Sequence, residues 1–319
     1  MLFAYKLDQG RLTLMPVDAD IAQAVWIDLY RPQPEQTARV EALGLVIPSL
    51  DDMEEIEISN RLYREGGNDY LTVILPGQTP DKAAITGPVT FILGAARLVT
   101  VRHHAPRSFE TFPTRADQSS AGCATHLRLF LGLVEEIVSR QADLLEGSSK
   151  ALDRTAAQVY STDAGRDTGL LGEGLTAIGQ EGEVLSRVRL ALLTLERMLS
   201  TFGVWISDRA DGPGLQPHIK ALMRDIQALE EHAAFLSSRV SLISDTTLGM
   251  INLAQNATVR ILSVVAALFL PPTLIASIYG MNFDVMPELH QPWGYPMALG
   301  MMLASAVFTY VYCKWMRWL

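Results

Sequence analysis

From Ile261 to Phe283 the chain runs for 23 residues without one charged side chain. A helix of that length, at about 1.5 Å per residue, reaches ~34 Å and is long enough to cross a bilayer core of about 30 Å. A second charge-free run, Trp293 to Cys313, follows after nine residues. Two apolar helices joined by a short loop form a membrane hairpin, so this part of the chain cannot belong to a soluble core. Everything N-terminal to it reads as soluble.

Charge separates the same two parts. The first 259 residues carry 23 basic and 33 acidic side chains, a balance of −10, within a net charge of −9 for all 319. An acidic soluble part argues against nucleic acid and anionic membrane surfaces as partners, and favours cations. The start, Met1 to Lys6, has no basic segment leading into an apolar one, so no cleaved signal is expected. Cys123 and Cys313 make neither a metal-ligand spacing nor a disulfide framework.

Residues 1 to about 115 alternate strand-like and helix-like segments. Phe3–Leu7, Leu12–Met15, Val25–Leu29, Ile56–Tyr63, Tyr70–Leu75, Val89–Leu93 and Arg97–Val101 read as strands of a mostly antiparallel sheet. Pro34–Leu43 and the segment opened by Ser49 read as short helices, giving a layered α/β domain. The acids Asp51, Asp52, Glu54, Glu55 and Glu57 invite a metal-site reading, but a solvated helix start accounts for them. His103 and His104 are adjacent on a strand and so point to opposite faces. Leu127–Val159 and about Gly169–Ile206 carry apolar residues at helical spacing, as two long antiparallel helices would. Gly212-Pro213-Gly214 reads as a break. No proline follows Pro217 until Pro271, so one helix from Leu215 to Met281, about 100 Å long, is expected as a stalk entering the membrane.

Along that helix Asn252, Asn256, Val259, Leu262, Ala266, Leu270, Thr273, Ser277 and then Asn282 follow one another in steps of three to five residues. This face is small or mildly polar in its outer half and apolar in the middle, and its near-3.5 spacing suits a helix that supercoils around copies of itself and lines a path between them. The same periodicity suits an ordinary helix–helix seam with small residues for close approach. One hairpin cannot enclose water, so a pore needs several copies about an axis. Pro271-Pro272 would free carbonyls near Ala267 and Leu268, which a membrane tolerates only if they are buried or line water.

The run Phe269 to Phe283 closes on Gly280-Met281-Asn282, and Met286-Pro287-Glu288-Leu289 and Trp293-Gly294-Tyr295-Pro296 follow it. This combination resembles the CorA family of magnesium channels. The likeness reaches back through Met250–Asn256 and Ala24–Leu29, and fades between about Ala121 and Gly214. It implies an α/β cytoplasmic domain, a long α-helical stalk and two C-terminal transmembrane helices, assembled as a CorA-like homopentamer. The expected division is an α/β domain over residues 1–120 and a helical hairpin over 121–214. The stalk covers 215–281, with its membrane part from about 261. An external loop at 282–292, a second span at 293–313 and a tail at 314–319 complete it.

The resemblance further implies uptake of Mg2+, with Co2+ and Ni2+ accepted, driven by the membrane potential and inhibited by cytoplasmic Mg2+, and without enzymatic chemistry. Mg2+ holds its waters tightly and dehydrates reluctantly. A ring of Asn282 side-chain oxygens, helped by a backbone carbonyl at Gly280, can hydrogen-bond those waters and still release the ion. Gly280, Met281 and Asn282 are thus the expected selectivity filter. Asp284 and Glu288 would concentrate cations at the mouth, and Leu262 and Leu270 would form apolar constrictions. The loop lacks Lys and Arg while Arg260, Lys314 and Arg317 lie at the opposite ends, which places both termini in the cytoplasm of an inner-membrane protein. A related zinc-transporting branch, and a closed membrane-tethered receptor or scaffold, are the competing readings.

Overall fold

The computed structural model describes residues 1–319 except 56, 58–60, 162–167, 208–211, 282–285, 288–290, 317 and 319. The chain divides into two compact units. One comprises Met1–Ala156 with Thr176–Ile243, the other Ala157–Leu175 with Ser244–Leu319.

The first unit is built on seven strands: β1 (Leu2–Asp8), β2 (Arg11–Leu14), β3 (Trp26–Tyr30), β4 (Leu62–Glu65), β5 (Asn68–Gln78), β6 (Ala84–Leu93) and β7 (Leu98–Arg102). They lie in the order β2-β1-β3-β7-β6-β5-β4. Every neighbouring pair is antiparallel except β3–β7, where Trp26 faces Leu98 and Tyr30 faces Arg102 in parallel register. The expected strand Ile56–Tyr63 is replaced by β4, four residues long, and most of its first half lies outside the described residues. β5 and β6 continue past Leu75 and Val89 through Pro76, Gly77 and Pro88. Those residues read as strand ends, but here the two arms pair mainly with each other, and an edge tolerates a missing N–H.

Period-two alternation divides the sheet's side chains between two cores. Trp26, Leu71, Val73, Leu75, Val89, Phe91 and Leu98 join the long helices on one face. Ile27, Leu29, Tyr70, Ile92, Val99 and Val101 meet Val40 of α1 (Pro34–Glu41) and Met53 of α2 (Leu50–Glu54) on the other. On the first face Phe91 lies edge-on to Phe130 with ring centroids 5.3 Å apart, and Phe130 edge-on to Phe202 at 4.9 Å. Within that apolar layer runs a polar chain. The Trp26 indole N–H donates to Thr100 Oγ1 (3.1 Å), Thr100 donates to Asp28 (2.8 Å), and Arg102 grips both Asp28 oxygens, Nη2 to Oδ2 at 2.8 Å. Asp28 and Arg102 are both almost wholly buried.

α3 (Ser108–Arg115) leads into α4 (His126–Val159), α5 (Thr168–Ser207) and α6 (Gly212–Tyr279). Leu127, Phe130, Leu131, Val134, Ile137, Val138, Leu145 and Leu152 put the apolar stripe of α4 into the core. α5 is apolar and long enough to cross a membrane. Its Leu185, Val188, Leu192, Leu195, Leu199 and Phe202 are instead buried in the first unit, so it is a core helix. α6 opens at Gly212, three residues before the expected Leu215, and takes Pro213 into its first turn. A proline there gives up only an N–H that the helix would leave unbonded anyway.

The second unit holds the last 36 residues of α6 and all of α7 (Gly294–Trp315), both apolar enough to span a bilayer. Near its inner end, Val159 and Leu171 form a small core with Met250 and Ile251.

Candidate functional site

α6 runs unbroken through Pro271-Pro272 to Tyr279. The Thr273 hydroxyl, just past the two prolines, donates to the carbonyls of Phe269 (3.0 Å) and Leu270 (2.9 Å). At the outer end the Gly280 N–H still bonds the Ala276 carbonyl at 2.9 Å, whereas the Met281 N–H reaches Ile278 at 3.3 Å, a tightened last turn. A Cβ on Gly280 would meet the Ala276 carbonyl at 3.0 Å. Close approach of backbone to backbone therefore accounts for glycine here, and its φ is not positive. Asn282, Asp284 and Glu288 lie outside the described residues.

The side chains of α6 in the second unit fall into three groups. Val264 is buried, and Ala257, Ala267, Leu268, Pro271, Ile275 and Tyr279 are partly covered. At its outer end this side meets α7: Tyr279 and Gly280 border a cavity of about 330 Å3 with Gly294, Tyr295, Ala298 and Met302. The eight positions expected to line a pore, Asn252, Asn256, Val259, Leu262, Ala266, Leu270, Thr273 and Ser277, are all exposed, Leu262 at 69% and Leu270 at 71%. Ile261, Val265, Phe269, Leu274 and Ile278 are also exposed, but they are bulky and wholly apolar. The open surface thus carries Asn, Ala, Thr and Ser positions together with bulky apolar ones. The covered seam along Val264, Leu268, Pro271 and Ile275 was not singled out from sequence, because each of its residues is as apolar as its lipid-facing neighbours.

The other flagged residues have structural duties. Ser49 and Asp52 close a reciprocal cap on α2, and the Ser49 hydroxyl and N–H hold the Asp52 carboxyl below its ordinary range. Asp51, Glu54, Glu55 and Glu57 are exposed around it. His104 is buried, its Nε2 2.9 Å from the Leu75 carbonyl, and burial pushes its pKa down to about 4. His103 is half-buried. Among the described residues no group of three or more His, Cys, Asp or Glu is placed to hold a metal ion. Cys313 is buried near the C-terminal end of α7, and Cys123 donates to the Gly10 carbonyl.

Comparison with known proteins covers the whole chain. The magnesium transport protein CorA of Haemophilus influenzae is 30% identical over 321 residues, and that of Escherichia coli K12 31% over 323, each aligned over the full length of both chains. The complete CorA magnesium transporter of Methanocaldococcus jannaschii superposes with a TM-score of 0.73 at 16% identity, covering 98% of this chain and 97% of that one. The model of the CorA-like Mg2+ transporter proteins matches residues 22–314, and the chain belongs to that family.

Proposed function

We propose that this chain forms a homopentameric channel that carries Mg2+ into the cytoplasm. The family is one of ion transporters rather than enzymes, and the full-length relatives are magnesium transport proteins. The observation that carries the reading to this chain is the open stripe from Asn252 to Ser277. Its polar and small side chains find no partner surface in their own chain, and only copies around an axis would face them toward water. α6 lines the path and α7, with Leu303 and Phe308 exposed, faces lipid. Gly280, Met281 and Asn282 form the entrance, where neutral oxygens bind the waters of the hydrated ion. Asp284 and Glu288 raise cation concentration at the mouth, and Leu262 and Leu270 narrow the path inside it. Both termini lie in the cytoplasm, and cytoplasmic Mg2+ closes the channel by bridging acidic domains of neighbouring copies. Co2+ and Ni2+, whose hydrated forms are of similar size, are carried as well.

Flux into liposomes containing the purified protein and an internal Mg2+ indicator tests this. Uptake should follow an inside-negative potential, stop under external hexaamminecobalt(III), whose outward N–H groups mimic the ion's waters, and slow with millimolar internal Mg2+. Absence of Mg2+ flux from a correctly inserted oligomer would sink the proposal. Flux indifferent to hexaamminecobalt(III) would remove recognition of the hydrated ion.

A further inference from the structure

In the first unit, the far ends of β5 and β6, the start of α3, and the middles of α4 and α5 enclose a cavity of about 390 Å3. That lies within the roughly 300–1,000 Å3 of small-molecule sites. Three of its lining side chains are arginines from three elements, Arg107 before α3, Arg140 of α4 and Arg187 of α5, against one carboxylate, Glu110. Ile85, Leu144, Val184 and Val188 supply apolar lining beside them. A basic cavity is unexpected in a part of the chain whose charge balance is −10.

The arginines are available. Arg140 pairs with Asp143 at 3.2 Å and Arg187 with Glu183 at 3.0 Å, each partner on the same helix, well exposed and outside the cavity lining. Exposed pairs of this kind are worth about 0–1 kcal/mol and give way to a better anion. Arg140 and Arg187 are themselves only 33% and 27% exposed, so their stems are held by packing. The floor is rigid too. Gln78 and Ala105 exchange backbone hydrogen bonds of 3.1 and 2.9 Å. A Cβ on Gly77 would come within 2.6 Å of the His104 ring and 2.9 Å of the Ala105 backbone. Buried His104, bonded to the Leu75 carbonyl, thus locks the strand end that borders the cavity.

Guanidinium groups match phosphate in charge and in fork geometry. With apolar lining beside them, the complementary ligand has a charged phosphoryl end and an apolar or planar body. We propose that this cavity binds a small organic phosphate, with Arg107, Arg140 and Arg187 on the phosphoryl group and Ile85, Leu144 and Val184 against the body.

Calorimetric titration of the full-length protein in detergent, with AMP as probe and inorganic phosphate as the comparison, tests it. AMP should bind saturably, and Arg140→Gln and Arg187→Gln should each weaken it at least fivefold. Ile85→Trp, which fills the apolar side, should abolish AMP binding and spare phosphate. Arg107→Gln, at an exposed side chain, supplies a variant whose fold is not at risk and should weaken AMP by a similar factor. No saturable AMP binding up to 10 mM (a ceiling about tenfold above a Kd of 1 mM), or binding unchanged in the arginine variants, overturns the site. Phosphate binding as tightly as AMP overturns the organic body and leaves a bare anion site. Mg2+ flux is not the readout, so failure here is distinct from failure of the channel.

Discussion

Phe91 and Phe269 are the same side chain in opposite circumstances. Phe91 is wholly buried, with Phe109 and Phe130 of its own chain around it; Phe269 is 62% exposed. The contrast holds across the two units. In the first, sheet and helices from one chain cover one another's apolar faces. In the second, two helices cover one seam and leave the rest of their apolar surface open. In the proposed channel its complement comes from outside the chain, from lipid and from further copies with water between them. A single chain is therefore finished in one region and left open in the other.

The largest test of this contrast lies at the mouth. Asn282→Ala should assemble normally by size-exclusion chromatography yet reduce liposome Mg2+ uptake to background, because in the proposed filter that amide serves the ion. Normal uptake would move recognition to Asp284 and Glu288. In the first unit a polar loss should act through stability instead. Asp28→Ala leaves Arg102 buried beside Phe109 without its carboxylate, a change that costs about 3–5 kcal/mol and should lower the thermal midpoint of the detergent-solubilised protein sharply. An unchanged midpoint would show the pair to be dispensable.

Next comes pH. The unfolded chain protonates His104 near pH 6.5 and the folded one only near 4, so the unfolded state takes up the proton first as pH falls. Stability should be full above 6.5 and decline between 6.5 and 4, by on the order of 3 kcal/mol at most. His104→Gln should flatten that part of a stability–pH profile, and an equally steep decline in the variant would assign it elsewhere. The smallest effect should come from Leu303→Ala on α7, 69% exposed, with a change within about 0.5 kcal/mol. A loss rivalling that of Asp28→Ala would mean that another copy, not lipid, covers this face.

What could be read from sequence follows the same division. The two spans were legible because absence of charge is a property of composition, requiring no knowledge of partners. The strands were legible through alternation, as in Val89–Leu93, and their ends were not, because Pro76 and Gly77 look like a turn wherever no second arm is known to pair with them. The parallel contact of β3 with β7 and the Asp28–Arg102 pair join residues more than 70 positions apart, and no local pattern announces them. At the site, the stripe on α6 was visible as periodicity, whereas the seam beside it was hidden among residues of the same type. Gly280 was expected to let a backbone carbonyl face the axis; the close Ala276 carbonyl, 3.0 Å from where a Cβ would stand, had no signal in the sequence.

The last of the three points where the chain passes between the units falls at Ile243–Ser244, inside α6 and not in a loop. An α-helix advances by 100° per residue, so the direction in which Asn256 or Thr273 points depends on the number of residues that precede it in α6. A single residue inserted in α6 would turn every position beyond it by more than a quarter of a circle relative to the helix before it. Seven inserted residues would bring them back to within about 20°. Length along this helix is thus an angular coordinate, and insertions or deletions within it are constrained by phase more strictly than substitutions are by size.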